Sequence, residues 1–266
     1  MILPKEINKH AAANKVSDRQ IEKDYVLTWV LNGIAHHKVL SKAMVFKGGT
    51  VLKKCYFENY RFSEDLDFTL LDEKLTHEQL QALLQEVFDW VKEEANITLQ
   101  HKDNGIHDAS GSSQFYVDYT GPLGGNIGSR DIKIDITRGE KMEFAVEERK
   151  AFVTYSDLSE ESFTLQCYSL SEVLIEKMAA LMGRTEPRDL YDFWYLMEVD
   201  RMNIKEHWGE FQRKAKHKGQ HPDEFAAKVL KKEDTFKRDW EKKLKNQIND
   251  LPKFEDIIRE AKRHLK

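Results

Sequence analysis

MVFKGGTVLKKCYFENYRFSEDLDFTLL, residues 44–71, decides how this chain is read. Met44–Phe46 is a short apolar run that meets Lys47 and then Gly48-Gly49, the pattern of a strand entering a glycine turn. Thr50 to Tyr56 fits the first turns of a helix, and Leu66 to Leu71 fits a second strand. Side chains alternate across a strand, so Asp65 and Asp67 point one way while Leu66, Phe68 and Leu70 point the other way, into a core. Two carboxylates on one face repel each other and stay comfortably ionised only with a cation between them. Mg2+ suits that place, because it takes oxygen ligands and is held by a few carboxylates plus substrate phosphates. An isolated Asp-x-Asp also describes an ordinary solvated strand end, so its surroundings must decide.

Downstream, DIKIDIT at 131–137 alternates cleanly. Ile132, Ile134 and Ile136 share one face, and Lys133, Asp135 and Thr137 the other. If this strand neighbours the one bearing Asp65 and Asp67, Asp135 joins them in a three-carboxylate set. Such a set can hold two metal ions, one activating an attacking hydroxyl and one stabilising a departing pyrophosphate. Gly48, Gly49 and Thr50 supply the complement: a close backbone approach, helix N-terminal N–H groups and a hydroxyl, all suited to phosphate. Lys47 either reaches a phosphate or is a surface lysine. Arg61 and Ser63 are read as holding the loop before Asp65, with Ser63 also within reach of a nucleotide.

The remaining pattern frames these segments. Ser17-x-x-Gln20 resembles a capping box before IEKDYVLTWVLNGIAHH, and Thr76-x-x-Gln79 heads a helix to about Ala95. ITLQHK (97–102), QFYVDY (114–119) and FTLQCYS (163–169) read as strands, and GPLGGNIGSR (121–130) as a connecting loop. From Ser171 onward everything reads as helix: 171–183, 188–199, 203–218, 222–231, 234–248 and 253–264. The expectation is an α+β protein, with a mixed-sheet domain and flanking helices over residues 1–165, then a helical domain over 166–266.

Bulk properties narrow the class. Of 266 residues, 40% are apolar and 33% charged, which predicts a globular protein with a charged surface. No apolar run approaches the roughly 20 residues that span a bilayer, and the N-terminus lacks the apolar core of a secretory signal. A cytoplasmic protein without membrane partners is expected. Cys55 and Cys167 are expected as buried thiols. The ten histidines show no metal-ligand spacing. The net charge of −4 conceals an asymmetry: residues 201–266 hold 19 Lys/Arg against 12 Asp/Glu. A basic tail suits a polyanion, although charged helices are often merely solvated.

Lys177 and Arg184 lie seven residues apart, about two helical turns, and so are expected to share a face. Two cations placed so could reach a triphosphate, or else pair with Glu172, Glu176 or Glu186. Asp189 and Asp192 follow Pro187, and acids in a first turn also stabilise a helix dipole.

KGGTVLKK followed by RFSEDLDF and an apolar-x-apolar-Asp strand resembles the nucleotidyltransferase superfamily that shares its fold with DNA polymerase β. SEDLDF together with EKMAALMGRTEPRDLYDFW is similar, more narrowly, to the AbiEii/AbiGii toxin family of bacterial nucleotidyltransferases. The resemblance covers roughly residues 44–200. It implies that Gly48, Gly49 and Thr50 contact the triphosphate, and that Asp65, Asp67 and Asp135 ligate metal, Asp135 also serving as a general base. Lys177 and Arg184 would bind nucleotide phosphates, and Asp189 or Asp192 would fill the family's fourth motif. The implied cofactor is Mg2+, two ions, with Mn2+ able to substitute. The implied partners are an NTP, an RNA acceptor such as a tRNA 3′ end, and a cognate antitoxin. The alternatives are an NTP-binding protein without transfer, or transfer to a protein or small molecule.

Overall fold

A computed structural model describes residues 1–102, 107–109, 112–158 and 163–265. The chain divides into two compact units: Met1–Glu140 with Val146–Cys167, and Lys141–Ala145 with Tyr168–Lys266.

The first unit opens with α1 (Pro4–Asn14), started by a proline at its first turn and ended by Lys15 in the left-handed region. Only Ile7 and Ala11 of α1 are buried, too thin a stripe to announce the helix in advance. Ser17 caps α2 (Asp18–His36) by accepting from the Gln20 N–H. Nearly all of α2 from Gln20 to Ile34 is buried, so it is a core helix rather than a surface one. Then come α3 (Leu40–Ala43), β1 (Met44–Lys47), α4 (Gly48–Val51) running into a π turn (Leu52–Tyr56), and β2 (Asp65–Leu70). The expected capping box at Thr76 and Gln79 starts α5 (His77–Ala95).

The strands β3 (Thr98–His101), β4 (His107–Ala109), β5 (Ser112–Thr120), β6 (Asp131–Thr137), β7 (Glu147–Lys150) and β8 (Thr164–Cys167) complete the unit. They form one eight-stranded mixed sheet in the order β3-β5-β6-β2-β1-β8-β7, with β4 also paired to β5. β2–β6 and β1–β8 are parallel and the other pairs antiparallel. β2 and β6 are therefore direct neighbours, the condition on which Asp135 joins the first two carboxylates. Phe46, Leu66, Phe68, Phe115, Ile134 and Ile136 fill the core on the opposite face, each essentially without exposure. Burying each such side chain is worth roughly 1.5–3 kcal/mol.

A charged network sits inside this core. Lys54 Nζ donates to Asp24 Oδ2 and Thr28 Oγ1, both at 2.8 Å, and Tyr155 Oη donates to the same Asp24 oxygen at 2.7 Å. Burial opposes the Asp24 charge, yet Lys54 and Lys53 hold its carboxyl below the ordinary value. Cys55 and Cys167 are both buried thiols, as expected.

The second unit holds α6 (Leu170–Gly183), α7 (Pro187–Trp194) with a following π turn (Tyr195–Val199), α8 (Trp208–His217), α9 (Phe225–Leu230), α10 (Glu233–Leu244) and α11 (Phe254–His264). Ser169 caps α6 by accepting from Glu172 N–H, and Lys232 Nζ donates to the carbonyls of Leu181, Met182 and Arg184 at its C-terminal end. Residues 141–145, which precede β7 in the chain, belong to this unit. Buried Glu172 fastens them: it accepts from the N–H groups of Glu143 and Phe144 at 2.8 and 2.9 Å and pairs with buried Lys214 at 2.7 Å. Lys214 also donates to the Lys141 carbonyl. No helix among the described residues is long and apolar enough to cross a membrane.

Candidate active site

The register of four adjacent strands builds the polar face of the sheet. Lys47 of β1 pairs with Asp67 of β2, Asp67 with Asp135 of β6, and Asp135 with Gln114 of β5. Two residues back along β2, Asp65 pairs with Lys133, which in turn pairs with Tyr116. Directly paired residues share a face, so both rows stand on the side opposite the apolar core. The sheet thus brings Asp65, Asp67 and Asp135 together as the alternation predicts. All three are half-buried, which leaves them reachable from solvent.

The glycine turn closes over this face. Gly48 has φ +80, a region that glycine alone enters without strain. A Cβ there would lie 2.9 Å from Asp67 Cγ, so the missing side chain is what lets the backbone pass the carboxylate. Gly49 and Thr50 follow, both buried, and the Thr50 hydroxyl donates to the Asp65 carbonyl at 2.5 Å. That bond ties the turn to the strand bearing the carboxylates, a positioning role that residue type alone does not disclose. Ser63 and Arg61 are buried in the approach to β2, where Arg61 Nη1 donates to the Phe62 carbonyl at 3.2 Å.

Cations are interleaved with the acids. Lys133 Nζ lies 3.0 Å from Asp135 Oδ2, which also accepts from Gln114 Nε2 at 3.2 Å. Burial works against the Lys133 charge, but its bond to Asp135 and the charges of Asp135, Tyr116 and Asp65 hold it above the ordinary lysine value. Lys47 is not a surface lysine: its side chain is buried, donates to Thr137 Oγ1 at 3.1 Å and lies 3.7 Å from Glu140 Oε2. Lys133, Gln114 and Glu140 were not singled out from the sequence. For Lys133 the signal was present in its shared face with Asp135, whereas Gln114 and Glu140 depend on strand register and loop path.

The donor set suits a hard divalent cation: carboxylates alone, on one accessible face, beneath a turn whose glycine leaves room beside Asp67. As the side chains stand, no three His, Cys, Asp or Glu residues among those described are drawn into a closed ion site. Asp135 is instead engaged by Lys133 and Gln114.

The second unit gathers the other four residues singled out in the sequence. Lys177 Nζ lies 2.8 Å from Asp189 Oδ1 and 2.6 Å from Asp192 Oδ2, all three buried. Arg184 grips Asp189 with Nε at 2.7 Å and Nη2 at 3.1 Å, its own side chain 54% exposed. Burial opposes the charge of Asp189, but Lys177 and Arg184 hold its carboxyl far below the usual range. Glu172, Glu176 and Glu186, the alternative partners for these cations, pair with Lys214, Lys218 and Lys243. Lys177 on α6 thus turns to Asp189 and Asp192 of α7, and Arg184 reaches Asp189 not from the helix face they were expected to share but from the extended residue that ends α6.

A family model described as nucleotidyl transferase AbiEii toxin, type IV TA system, matches residues 29–260. Among solved structures, MenT4, a nucleotidyltransferase toxin from Mycobacterium tuberculosis, superposes with a TM-score of 0.64 at 18% identity, covering 100% of this chain and 90% of that one. JHP933 from Helicobacter pylori superposes at 0.59 with 17% identity, covering 94% and 91%. No curated protein matches the chain. The superpositions show a shared fold, and the family match runs through both units and every residue of the two clusters. The chain belongs to the AbiEii nucleotidyltransferase toxins of type IV toxin–antitoxin systems, a family of enzymes that takes NTP substrates and is paired with cognate antitoxins.

Proposed function

We propose that this toxin is a Mg2+-dependent nucleotidyltransferase that moves an NMP from an NTP to RNA, with a tRNA 3′ end as acceptor, and so blocks translation and growth in the cytoplasm. The observation that carries the proposal is the row placing Asp67 beside Asp135, with Asp65 on the same face and Gly48 against Asp67. In this reading Asp65, Asp67 and Asp135 hold two Mg2+ ions, for which Mn2+ can substitute, and the bound metal supplies charge neutralisation at the triphosphate. Asp135 takes the proton from the acceptor hydroxyl as its oxygen bonds to the α-phosphorus and pyrophosphate departs. Gly48, Gly49 and Thr50 present the turn to the triphosphate, and Ser63 lines its approach.

The helical part, residues 166–266, supplies Lys177 and Arg184 to the nucleotide phosphates. Asp189 and Asp192 orient those cations. Arg184 suits the first contact, because half of its side chain already faces solvent. The RNA reading is supported by exposed Lys205, Lys216, Lys231, Lys242, Lys245 and Lys253, none of which makes an ion pair with a described residue. Lysines scattered in this way grip phosphates without reading sequence.

The test is to incubate the protein with each labelled NTP, Mg2+ and total tRNA. Label on RNA that disappears in Asp67→Ala supports the proposal. Label on the protein or on a small molecule would redirect it to another acceptor, and NTP binding with no transfer would make the chain a binding protein.

A further inference from the structure

Lys133 stands where the carboxylate face needs a positive charge. Its Nζ is 3.0 Å from Asp135 Oδ2, and its register partner on the other side is Asp65. The side chains of Lys133 and Asp135 are only 26% and 20% exposed, so water screens the pair weakly. Gln114 completes the coordination of the same Asp135 oxygen. An ammonium held on that oxygen competes with a divalent ion for the same carboxylate, since the two cations repel at close range and the lysine takes up part of its charge. A lysine has the flexible four-carbon stem to move aside, and a triphosphate would give it a new partner.

We propose that Lys133 is a resident counter-ion: without nucleotide its ammonium occupies Asp135, and metal loads efficiently only when an NTP draws the lysine away. Lys133 is then a positioning residue that makes metal binding conditional on nucleotide. This rests on reading Asp65, Asp67 and Asp135 as the metal ligands, and it concerns the order of loading rather than the transfer itself. The bare protein binds divalent ions weakly because the lysine competes, and the metal–NTP complex binds well because it supplies both cation and anion.

The experiment titrates Mn2+ into the full chain without nucleotide and follows the loss of the free-ion signal by electron paramagnetic resonance. Lys133→Met and Lys133→Gln are both made, so that a folding failure in one leaves the other. Each should bind Mn2+ about tenfold or more tightly than the wild type, as expected when a neighbouring charge is removed from a weakly screened site. Lys133→Arg keeps the charge and should match the wild type. An unreactive NTP analogue should increase the Mn2+ held by the wild type, counted above the Mn2+ that the analogue removes without protein, and narrow the gap to Lys133→Met. Mn2+ affinity in Lys133→Met and Lys133→Gln no greater than wild type overturns the inference. Asp67→Asn separates the two levels of the argument: Mn2+ binding that survives unchanged in Asp67→Asn places the ion elsewhere and overturns the site reading itself.

Discussion

Gly48 stands against the carboxylate of Asp67, close enough that any side chain at position 48 would strike it. The turn and the strand are thus fitted to each other, and the fit depends on an atom that is absent. Gly48→Ala should cost about 1–3 kcal/mol, from the left-handed backbone together with the displaced Asp67. Urea unfolding reads the stability, and Mn2+ titration reads the site. An alanine variant as stable as wild type, with unchanged ion affinity, would show that the close approach has no role.

Asp65→Asn and Asp67→Asn carry the opposite signature. Removing one of two carboxylates on a polar face relieves repulsion, so unfolding free energy without metal should hold to within the roughly 0.5 kcal/mol typical of changes outside the core. Nucleotidyl transfer should fall by about 10³-fold or more, the scale of losing several kcal/mol of charge stabilisation. A large loss of stability in metal-free Asp67→Asn would speak against the site.

Lys177 serves two masters in the present reading, and one variant separates them. Lys177→Ala strands buried Asp189 and Asp192 without their shared cation, which should destabilise by about 3–5 kcal/mol. It should also weaken NTP binding more than metal binding, measured below the melting transition. Equal losses for NTP and metal would remove Lys177 from the phosphate site and leave it a structural ion pair.

Asp189 gives that pair a pH signature. Its folded carboxyl is held well below the value of an unfolded aspartate, about 3.9. The group's contribution to stability is therefore fully present above about pH 4 and is lost as pH falls through the depressed folded value. Urea midpoints between neutral and strongly acid pH should show that limb in wild type and a flatter one in Asp189→Asn. Identical acid limbs would place the charge of Asp189 outside the stability of the helical unit.

Lys54→Met should be costly on the same ground, since it leaves Asp24 charged and buried beside Thr28 and Tyr155. A loss of about 3–5 kcal/mol is expected by calorimetry or urea unfolding. Pairing it with Asp24→Leu should recover much of that loss, because no lone charge then remains. A double variant no more stable than Lys54→Met would mean the network does more than neutralise itself.

Much of this was legible because a strand's period of two is unforgiving. Asp65, Asp67 and Asp135 could occupy one face only if Leu66, Phe68 and the isoleucines of β6 occupied the other, and so they do. The capped helices at Ser17 and Thr76 announced themselves through side-chain chemistry that acts within one turn. What stayed hidden was set by distant chain. The partner of Lys133 follows from its own strand, but its burial follows from β2 and β5 on either side. The acids that claim Lys177 lie on the next helix, whereas the nearer candidates are taken by lysines from α8 and α10. β7 escaped because Glu147–Lys150 is charged throughout and carries no apolar face. Residues 188–199, which read as one helix, change to a π turn at Tyr195, a break in hydrogen-bond register that leaves the apolar pattern intact.

The clip formed by Glu172 on residues 143 and 144 constrains how such a gene can be rearranged. The chain crosses between the two units three times, so no single breakpoint separates them cleanly. A recombination event near residue 167 that imported a foreign helical half would leave the native 141–145 segment to meet an unfamiliar Glu172 and Lys214. Exchange of one half for another therefore requires those five residues to travel with the helices, which favours inheritance of the two units as a single block.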